Sequence, residues 1–566
     1  MNTQNHDFFF DPDYVDFIAR SSRIYQDFQR LVPDVFVVPS IYERFFLGFV
    51  RRQDVEDLIQ NIGGLVDIEP VVLGLTDRGD LESAGIISVQ EQTFLNLRGT
   101  NTLVGIVDTG IDYTNPAFIR EDGTSKIQYI LDQTERGDQE ASFIFGREYS
   151  NEQINEALRS PNPYEIVPHR DNVGHGTFLA SVAAGRPQDD RVGAAPDADL
   201  IVVKLRKARP YYLEKYLIPP DQENAYESSS VMMGLEYILR RAQELRRPVS
   251  ICLGLGTNFG THDGFSIFEE YLTSLSNLSG VSLVVAAGNE SQARHHTQGF
   301  LEREGDTQNI DIRVGENAGD IFVSIVNGGS DKLSLSIRSP AGEAVGRVPS
   351  KTETVYLSRL VLERATVIVE YYFPLDGSGG QLSIVKLLNA TPGLWTITVY
   401  GDIVLDGTYH AWLPITGFVS PNVEFTSPTP NYTIVVPGTA VGVITVGAYN
   451  SANNSLYSDT SWGPSRLPAI LPDFTAPGVD VTGEFPTGPG DMSGTSVAAA
   501  ITAGAAALML QWGIVEGNEP LISTYQIKAY MIRGCNRDVT INYPNTQWGY
   551  GRLNLIQTFV LMSTIG

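Results

Sequence analysis

The sequence predicts an α/β protein in which a parallel sheet is covered by helices on both faces, with two further units attached. From about residue 100, short and nearly all-apolar strand-like runs alternate with helical stretches, as in sheets that are buried on both faces. Before them, residues 1–80 follow a strand, helix, strand order, and residues 301–429 contain only short strands separated by Gly, Asn and Pro turns. We therefore predict an α+β module at 1–80, an α/β domain in two parts at 81–300 and 430–566, and an inserted all-β jelly-roll domain at 301–429.

The N-terminal module is predicted from apolar periodicity. Strand-like runs at Asp34–Val38 and Phe45–Val50 precede apolar residues at helical spacing, Val55 to Ile62, which Gly63-Gly64 ends. A further strand, Leu65–Leu75, is followed by the polar stretch Thr76–Ser83, whose composition suits an exposed segment.

The α/β domain is predicted from its buried strands. They are Leu103–Val107, Leu200–Val203, Val249–Leu253, Val281–Ala287 and, after the insertion, Thr439–Ala448. Helices are predicted at Ser228–Leu245 and at Ser496–Leu510, the second being rich in Ala and Gly. The strands of the inserted domain are Asn309–Val314, Asp320–Val326, Leu333–Ile337, Thr366–Tyr372, Gln381–Lys386 and Leu394–Tyr400.

Composition narrows the classes of partner. The formal net charge of −26 argues against nucleic acid and anionic membrane surfaces as partners. Two distant cysteines are too few for a disulfide framework and indicate synthesis in a reducing compartment. The first residues carry three aspartates and lack the basic, then apolar pattern of a signal peptide. We expect a protein made in the cytoplasm without an export signal, and without a membrane span.

Three segments carry residues suited to nucleophilic catalysis. Asp108 follows a buried strand, His175 lies between glycines, and Ser496 stands where a glycine-bearing turn enters a helix. Taken singly, each residue also has a common structural role: Asp108 as a turn residue, His175 as a hydrogen-bonding histidine and Ser496 as a helix N-cap. Together they supply a serine nucleophile, its base and the carboxylate that orients the base.

These segments resemble the signatures of the subtilisin-like serine proteases, the subtilases. The similar motifs are Asp108-Thr109-Gly110, His175-Gly176-Thr177 and Gly494-Thr495-Ser496, in the family's order of Asp, His, Ser. The resemblance covers roughly residues 85–300 and 430–566 and implies a serine endopeptidase with a subtilisin-like sheet. It assigns the catalytic triad to Asp108, His175 and Ser496.

The same resemblance assigns the substrate-binding residues. Ala286-Ala287-Gly288-Asn289 is similar to the oxyanion segment, so Asn289 is expected in the oxyanion hole, with Ala286 and Gly288 beside the substrate. Cys252, Leu253 and Gly254 correspond to the segment that lines the S1 pocket and pairs with substrate backbone. Cys252 could also be a nucleophile, although the family pattern places no base for it. We expect no metal site and no cofactor, since His295-His296 lacks a carboxylate at fixed spacing.

Three features resemble one branch, the clostridial Csp germination proteases: the N-terminal module, the β insertion between Asn289 and Ser496, and the missing export signal. By this resemblance residues 1–80 are a prodomain, a chaperone that Ser496 cuts off somewhere in Leu75–Ser83. If the cleaved prodomain stays bound, which the sequence leaves open, it is an inhibitor and a partner of the enzyme. The jelly roll would clamp the prodomain against the catalytic domain. The protein substrate would be a precursor of a spore cortex-lytic enzyme, and the protein would be spore-associated.

Two other functions stay open. Some members of this branch are non-catalytic, which would make the chain a scaffold or signalling pseudoprotease; an intact triad argues against that. A broadly degradative subtilase is the other, and the missing export signal argues against it.

Overall fold

The core of the molecule is a nine-stranded, mostly parallel sheet with helices packed against it. This computed structural model describes residues 8–20, 36–39, 45–55, 70–75, 82–92, 95–137, 145–188, 191–352, 354–467 and 469–563. The strands before the insertion are β1 (Tyr14–Arg20), β2 (Phe36–Pro39), β3 (Phe45–Arg51), β4 (Val72–Leu75), β5 (Leu103–Asp108), β6 (Ile127–Asp132), β7 (Arg147–Ser150), β8 (Asp199–Lys204), β9 (Tyr226–Glu227), β10 (Val249–Leu253), β11 (Leu255–Gly256) and β12 (Val281–Ala286).

The later strands belong to the insertion and to the second part of the α/β domain. The insertion contains β13 (His296–Phe300), β14 (Thr307–Val314), β15 (Ile321–Asn327), β16 (Lys332–Arg338), β17 (Ala344–Val348), β18 (Val355–Arg359), β19 (Thr366–Tyr372), β20 (Gln381–Leu388), β21 (Gly393–Ile403), β22 (Thr408–Trp412) and β23 (Val423–Phe425). After it come β24 (Ile444–Asn450), β25 (Ser455–Leu456), β26 (Phe474–Pro477), β27 (Val481–Phe485) and β28 (Gly488–Met492).

The α-helices of the described residues lie mainly around the central sheet. They are α1 (Ile86–Glu91), α2 (Asn151–Arg159), α3 (Pro163–Ile166), α4 (His175–Ala184), α5 (Pro210–Lys215), α6 (Ser228–Leu245), α7 (Ile267–Leu275), α8 (Thr495–Leu510), α9 (Thr524–Gly534) and α10 (Leu555–Ser563). A π-helical turn, Gln511–Val515, continues α8.

The central sheet has the strand order β25-β24-β12-β10-β5-β8-β6-β7, and β26 also pairs with β24. All neighbours are parallel except β25 and β7, which pair antiparallel. Every residue of β5, β10 and β12 is buried, which explains their unbroken apolar sequences. The predicted fold class is confirmed.

Helix α8 crosses the core close to α4. A Cβ added at Gly504 would lie 2.4 Å from Ala194 Cβ and 2.5 Å from the Ala183 carbonyl oxygen, so small residues are required for this approach. Together with the π-helical turn it is apolar and long enough to cross a membrane, but 89% of its most apolar window is buried in protein, as in a core helix.

The insertion consists of two antiparallel sheets that enclose their own apolar core. Their orders are β13-β22-β15-β20-β19-β18 and β17-β16-β21-β14-β23. The core between them includes Ile325, Leu335, Val385 and Trp395. The edge strands β17 and β18 were not predicted, because both are largely exposed and their sequences lack a buried apolar face.

The N-terminal residues form a small sheet in the order β1-β3-β2, from which β4 is separate. Strand β1 was not predicted from the sequence. Most of the predicted helix Val55–Ile62 lies outside the described residues. Strand β4 forms a different sheet, between β11 and β9 of the α/β domain.

Candidate active site

Three predicted catalytic side chains meet at the carboxyl edge of the central sheet. The Nδ1 atom of His175 lies 2.8 Å from Asp108 Oδ1, and its Nε2 atom lies 3.3 Å from Ser496 Oγ. All three residues are buried, with Asp108 and His175 at 1% and 2% exposure. With Nδ1–H donated to the carboxylate, Nε2 is left to accept the serine proton, which is the geometry of a general base.

The local sequence explains how each side chain is delivered. Asp108 ends β5, and His175 begins α4 directly after Gly174, whose φ of +91° favours glycine. Ser496 is the second residue of α8, so its hydroxyl lies at the positive end of a 16-residue helix.

Hydrogen bonds tie the aspartate turn to the histidine helix. Thr109 Oγ1 accepts the Gly176 N–H at 2.9 Å, and Thr177 Oγ1 accepts the Asp112 N–H at 2.9 Å. Asp171 accepts the Thr177 N–H and O–H at 2.9 and 2.7 Å. The Asp108 and His175 segments are therefore held as one unit.

The two carboxylate oxygens of Asp108 differ in their hydrogen bonds. Its Oδ1 atom accepts both from His175 and, at 2.8 Å, from the Thr109 N–H. Its buried Oδ2 atom has no hydrogen-bond partner among the described residues. The orientation of the carboxylate consequently depends on the backbone turn that follows β5.

The predicted oxyanion segment follows β12. Gly288 has a φ of +102°, and a Cβ there would lie 2.6 Å from Val435 Cγ1, so a glycine is required. Asn289 Oδ1 accepts the Thr495 N–H at 3.1 Å, which turns its amide nitrogen away from Thr495. Ala286 is buried in β12, two residues before Gly288.

The other predicted substrate-binding segment ends β10. A Cβ added at Gly254 would lie 3.0 Å from Ser496 Cβ and 3.1 Å from His175 Cε1, so this backbone lies directly against the catalytic pair. Leu253 is buried one residue earlier. Cys252 packs in the core with Ile106 and Val284, and burial raises the pKa of its thiol far above the usual range. A thiol held protonated is a poor nucleophile, which favours a packing role for Cys252.

Sequence reasoning did not find the strand pairing beside Gly254. Strand β4 lies between β11 and β9 and pairs antiparallel with both: Leu75 with Leu255, and Leu73 with Tyr226. The apolar run ending at Leu75 predicted a strand but held no information on its partners. Tyr226 and Glu227 lie at the end of a polar loop, without a strand signal.

The described residues contain no group of three or more His, Cys, Asp or Glu side chains that could hold a metal ion. His295 Nδ1 lies 2.8 Å from Glu290, whereas His296 Nε2 lies 3.2 Å from His410 Nδ1. The adjacent histidines thus face different partners.

Comparison with known proteins identifies a family for the chain. The chain matches the subtilase family over residues 99–318 and 421–551, which is more than half of its length. No curated protein matches the chain.

Among solved structures, the chain is similar to the Clostridium perfringens CspB protease. The identity is 31%, with 85% of this chain and 98% of that one covered and a TM-score of 0.75. A mutant of the protease domain of PatA has 15% identity, with 83% and 98% covered and a TM-score of 0.41. The prenylagaramide maturation protease PagA has 14% identity, with 84% and 98% covered and a TM-score of 0.42. On the family match and the likeness to CspB, the chain belongs to the subtilase family and is a serine peptidase.

Proposed function

We propose that this peptidase cuts its own N-terminal segment, keeps that segment bound, and then makes a few cuts in one protein substrate. The observation that carries the proposal is the position of β4. An antiparallel strand between β9 and β11, next to Ser496, lies as a peptide substrate of this family would lie. Residues 1–80 then act as a prodomain and the rest of the chain as the enzyme.

The chemistry follows from the roles proposed for the triad. Ser496 Oγ attacks the scissile carbonyl carbon while His175 Nε2 takes its proton, and Asp108 stabilises the imidazolium that forms. The Asn289 amide and the Ser496 N–H then donate to the developing oxyanion. Protonated His175 next donates to the leaving amine, and water hydrolyses the acyl-enzyme by the same route. Replacing Asn289 with Ala should lower kcat by about 10²–10³-fold.

The register of β4 narrows the site of self-cleavage. Leu75 pairs with Leu255, and Gly74 with Gly256. The strand thus runs towards Gly254, the residue that lies against Ser496. We therefore expect cleavage shortly after Leu75, within the predicted window Leu75–Ser83. Residues 76–81 of that window lie outside the described residues.

Intact mass spectrometry of the purified full chain tests self-cleavage. Wild type should yield two fragments, joined at a bond within Leu75–Ser83, whereas Ser496→Ala should keep the mass of the whole chain; the two masses identify the bond that is cut. Identical cleavage of the Ser496→Ala chain would contradict the proposal.

Retention of the cut segment is supported by its contacts with the α/β domain. Phe45 packs edge-on against Tyr271 of α7, with ring centroids 5.6 Å apart. Buried Asp16 of β1 lies 3.1 Å from the Arg206 guanidinium. We expect the two fragments to elute together in size-exclusion chromatography; separate elution under native conditions would contradict retention.

We further propose germination as the setting and a precursor of a spore cortex-lytic enzyme as the substrate. Its support is the similarity to CspB of Clostridium perfringens. Incubated with such a precursor, the wild-type enzyme should make one cut and Ser496→Ala none. Many cuts in unrelated proteins would favour a degradative role instead, and no cut by the self-processed enzyme would favour a scaffold.

A further inference from the structure

A second buried aspartate–histidine pair lies beside the proposed triad. His169 Nδ1 is 2.6 Å from Asp132 Oδ2, and both side chains are at most 1% exposed. Asp132 ends β6, just as Asp108 ends β5, and Lys204 of the strand between them pairs in register with both. Three neighbouring strands therefore deliver charged residues at the same level of the carboxyl edge.

The outer nitrogen of this second histidine contacts the aspartate turn. His169 Nε2 accepts the Ile111 N–H at 3.2 Å. Since Nε2 is the acceptor, the proton lies on Nδ1 and is donated to Asp132, whose other oxygen accepts the Thr134 N–H at 2.9 Å. The carboxylate thus fixes the tautomer that can receive the Ile111 N–H.

The His169 ring also packs against the glycine of the turn. Gly110 has a φ of +115°, and a Cβ added to it would lie 3.1 Å from His169 Cε1 and Nε2. The turn is therefore held from two sides. Thr109 and Thr177 tie it to α4, while His169 ties it to β6.

Because the two carboxylate oxygens of Asp108 differ in their hydrogen bonds, the direction of the carboxylate depends on the turn that His169 contacts. Because Oδ2 has no partner among the described residues, the carboxylate direction follows the backbone of residues 108–111. We propose that His169 is a positioning residue for Asp108, with Asp132 as the group that orients His169. The proposal rests on the proposed triad role of Asp108 and goes beyond it, since His169 contacts neither serine nor substrate in that scheme.

A positioning role differs measurably from a purely structural one. If His169 is removed and the turn relaxes, Asp108 stabilises the His175 imidazolium less, and the pKa of His175 falls. Loss of a buried histidine that only supports the fold lowers stability but leaves the pKa of His175 in the folded protein unchanged.

Proton NMR of the full chain in the Ser496→Ala background, which prevents cleavage, can follow this pKa. A proton shared between His Nδ1 and a buried carboxylate resonates far downfield, so His175 and His169 should each give a signal. Asp108→Asn should shift or remove the first signal and Asp132→Asn the second. If Asp108→Asn changes neither signal, the proposed triad itself is wrong, whatever the role of His169.

The deciding variant is His169→Leu, titrated by the pH dependence of the His175 signal. We expect the midpoint to fall by about one pH unit. His169→Gln, which keeps an acceptor for the Ile111 N–H, should restore part of the shift. His169→Phe, which lacks an acceptor as leucine does, takes the place of the leucine variant should that fail to fold. A matched control is His410→Leu, a buried histidine of the inserted domain that stacks on Trp412. An unchanged midpoint in folded His169→Leu or His169→Phe, or an equal shift in His410→Leu, overturns the proposal.

Discussion

The N-terminal module contacts the α/β domain through a buried cluster of charges. Asp16 of β1 is fully buried and contacts both Arg206 and Arg209, whose side chains are 10% and 4% exposed. Glu227 of β9 lies 2.5 Å from Arg206. Two guanidinium groups therefore face two carboxylates, and the cluster is neutral.

Replacing Asp16 with Ala leaves two buried cations with one anion. Breaking a buried ion pair by removing one partner costs about 3–5 kcal/mol, because the remaining charge is uncompensated. At about 1.36 kcal/mol per tenfold change, this weakens the docking of the module by roughly two to four orders of magnitude. The same substitution at Asp13, an exposed residue directly before β1, removes no buried charge.

Hydrogen exchange of the Ser496→Ala chain measures this directly, because opening of the β1–β3 sheet from the domain exposes its amides. Protection of the β1 amides should fall by roughly two to four orders of magnitude in Asp16→Ala and stay near wild type in Asp13→Ala. Adding Arg209→Met to Asp16→Ala restores a one-to-one balance and should recover part of the loss. Equal protection in Asp16→Ala and Asp13→Ala would refute the reasoning.

Three further predictions concern the α/β domain. Gly254→Ala should lower kcat/KM by about 100-fold without unfolding the protein, because the new methyl group would lie 3.0 Å from Ser496 Cβ; full activity in a peptide assay would contradict this. Cys252→Ala should retain activity within a few-fold, and iodoacetamide should label Cys252 only after unfolding, as mass spectrometry would show. Burial raises the pKa of Glu269 to about 7 from 4.5, so the folded protein holds a proton that the unfolded chain releases. The contribution of Glu269 to stability should therefore be greatest below pH 4.5 and fall by roughly 3 kcal/mol as pH rises to about 7. Glu269→Gln should flatten this dependence in denaturant titrations, and an unchanged slope would exclude Glu269 as its source.

Much of the fold could be predicted because its signals are local. Helix α6 has the bounds predicted from apolar spacing, Ser228–Leu245, and β10 those predicted from an unbroken apolar run, Val249–Leu253. The exposed edge strands β17 and β18 were missed, because an edge strand need not bury either face.

The sequence by itself determined the fold class and the side chains that carry the proposed chemistry. Asp108, His175 and Ser496 each stand in a short segment whose glycines and neighbouring apolar residues reflect a local backbone requirement. Only the tertiary structure decided what lies around them. The pairing of β4 with β9 and β11, the burial of Asp16 against Arg206, and the contact of His169 with the Asp108 turn join residues far apart in the chain. Such contacts depend on how elements pack, and no local pattern of residue types specifies them.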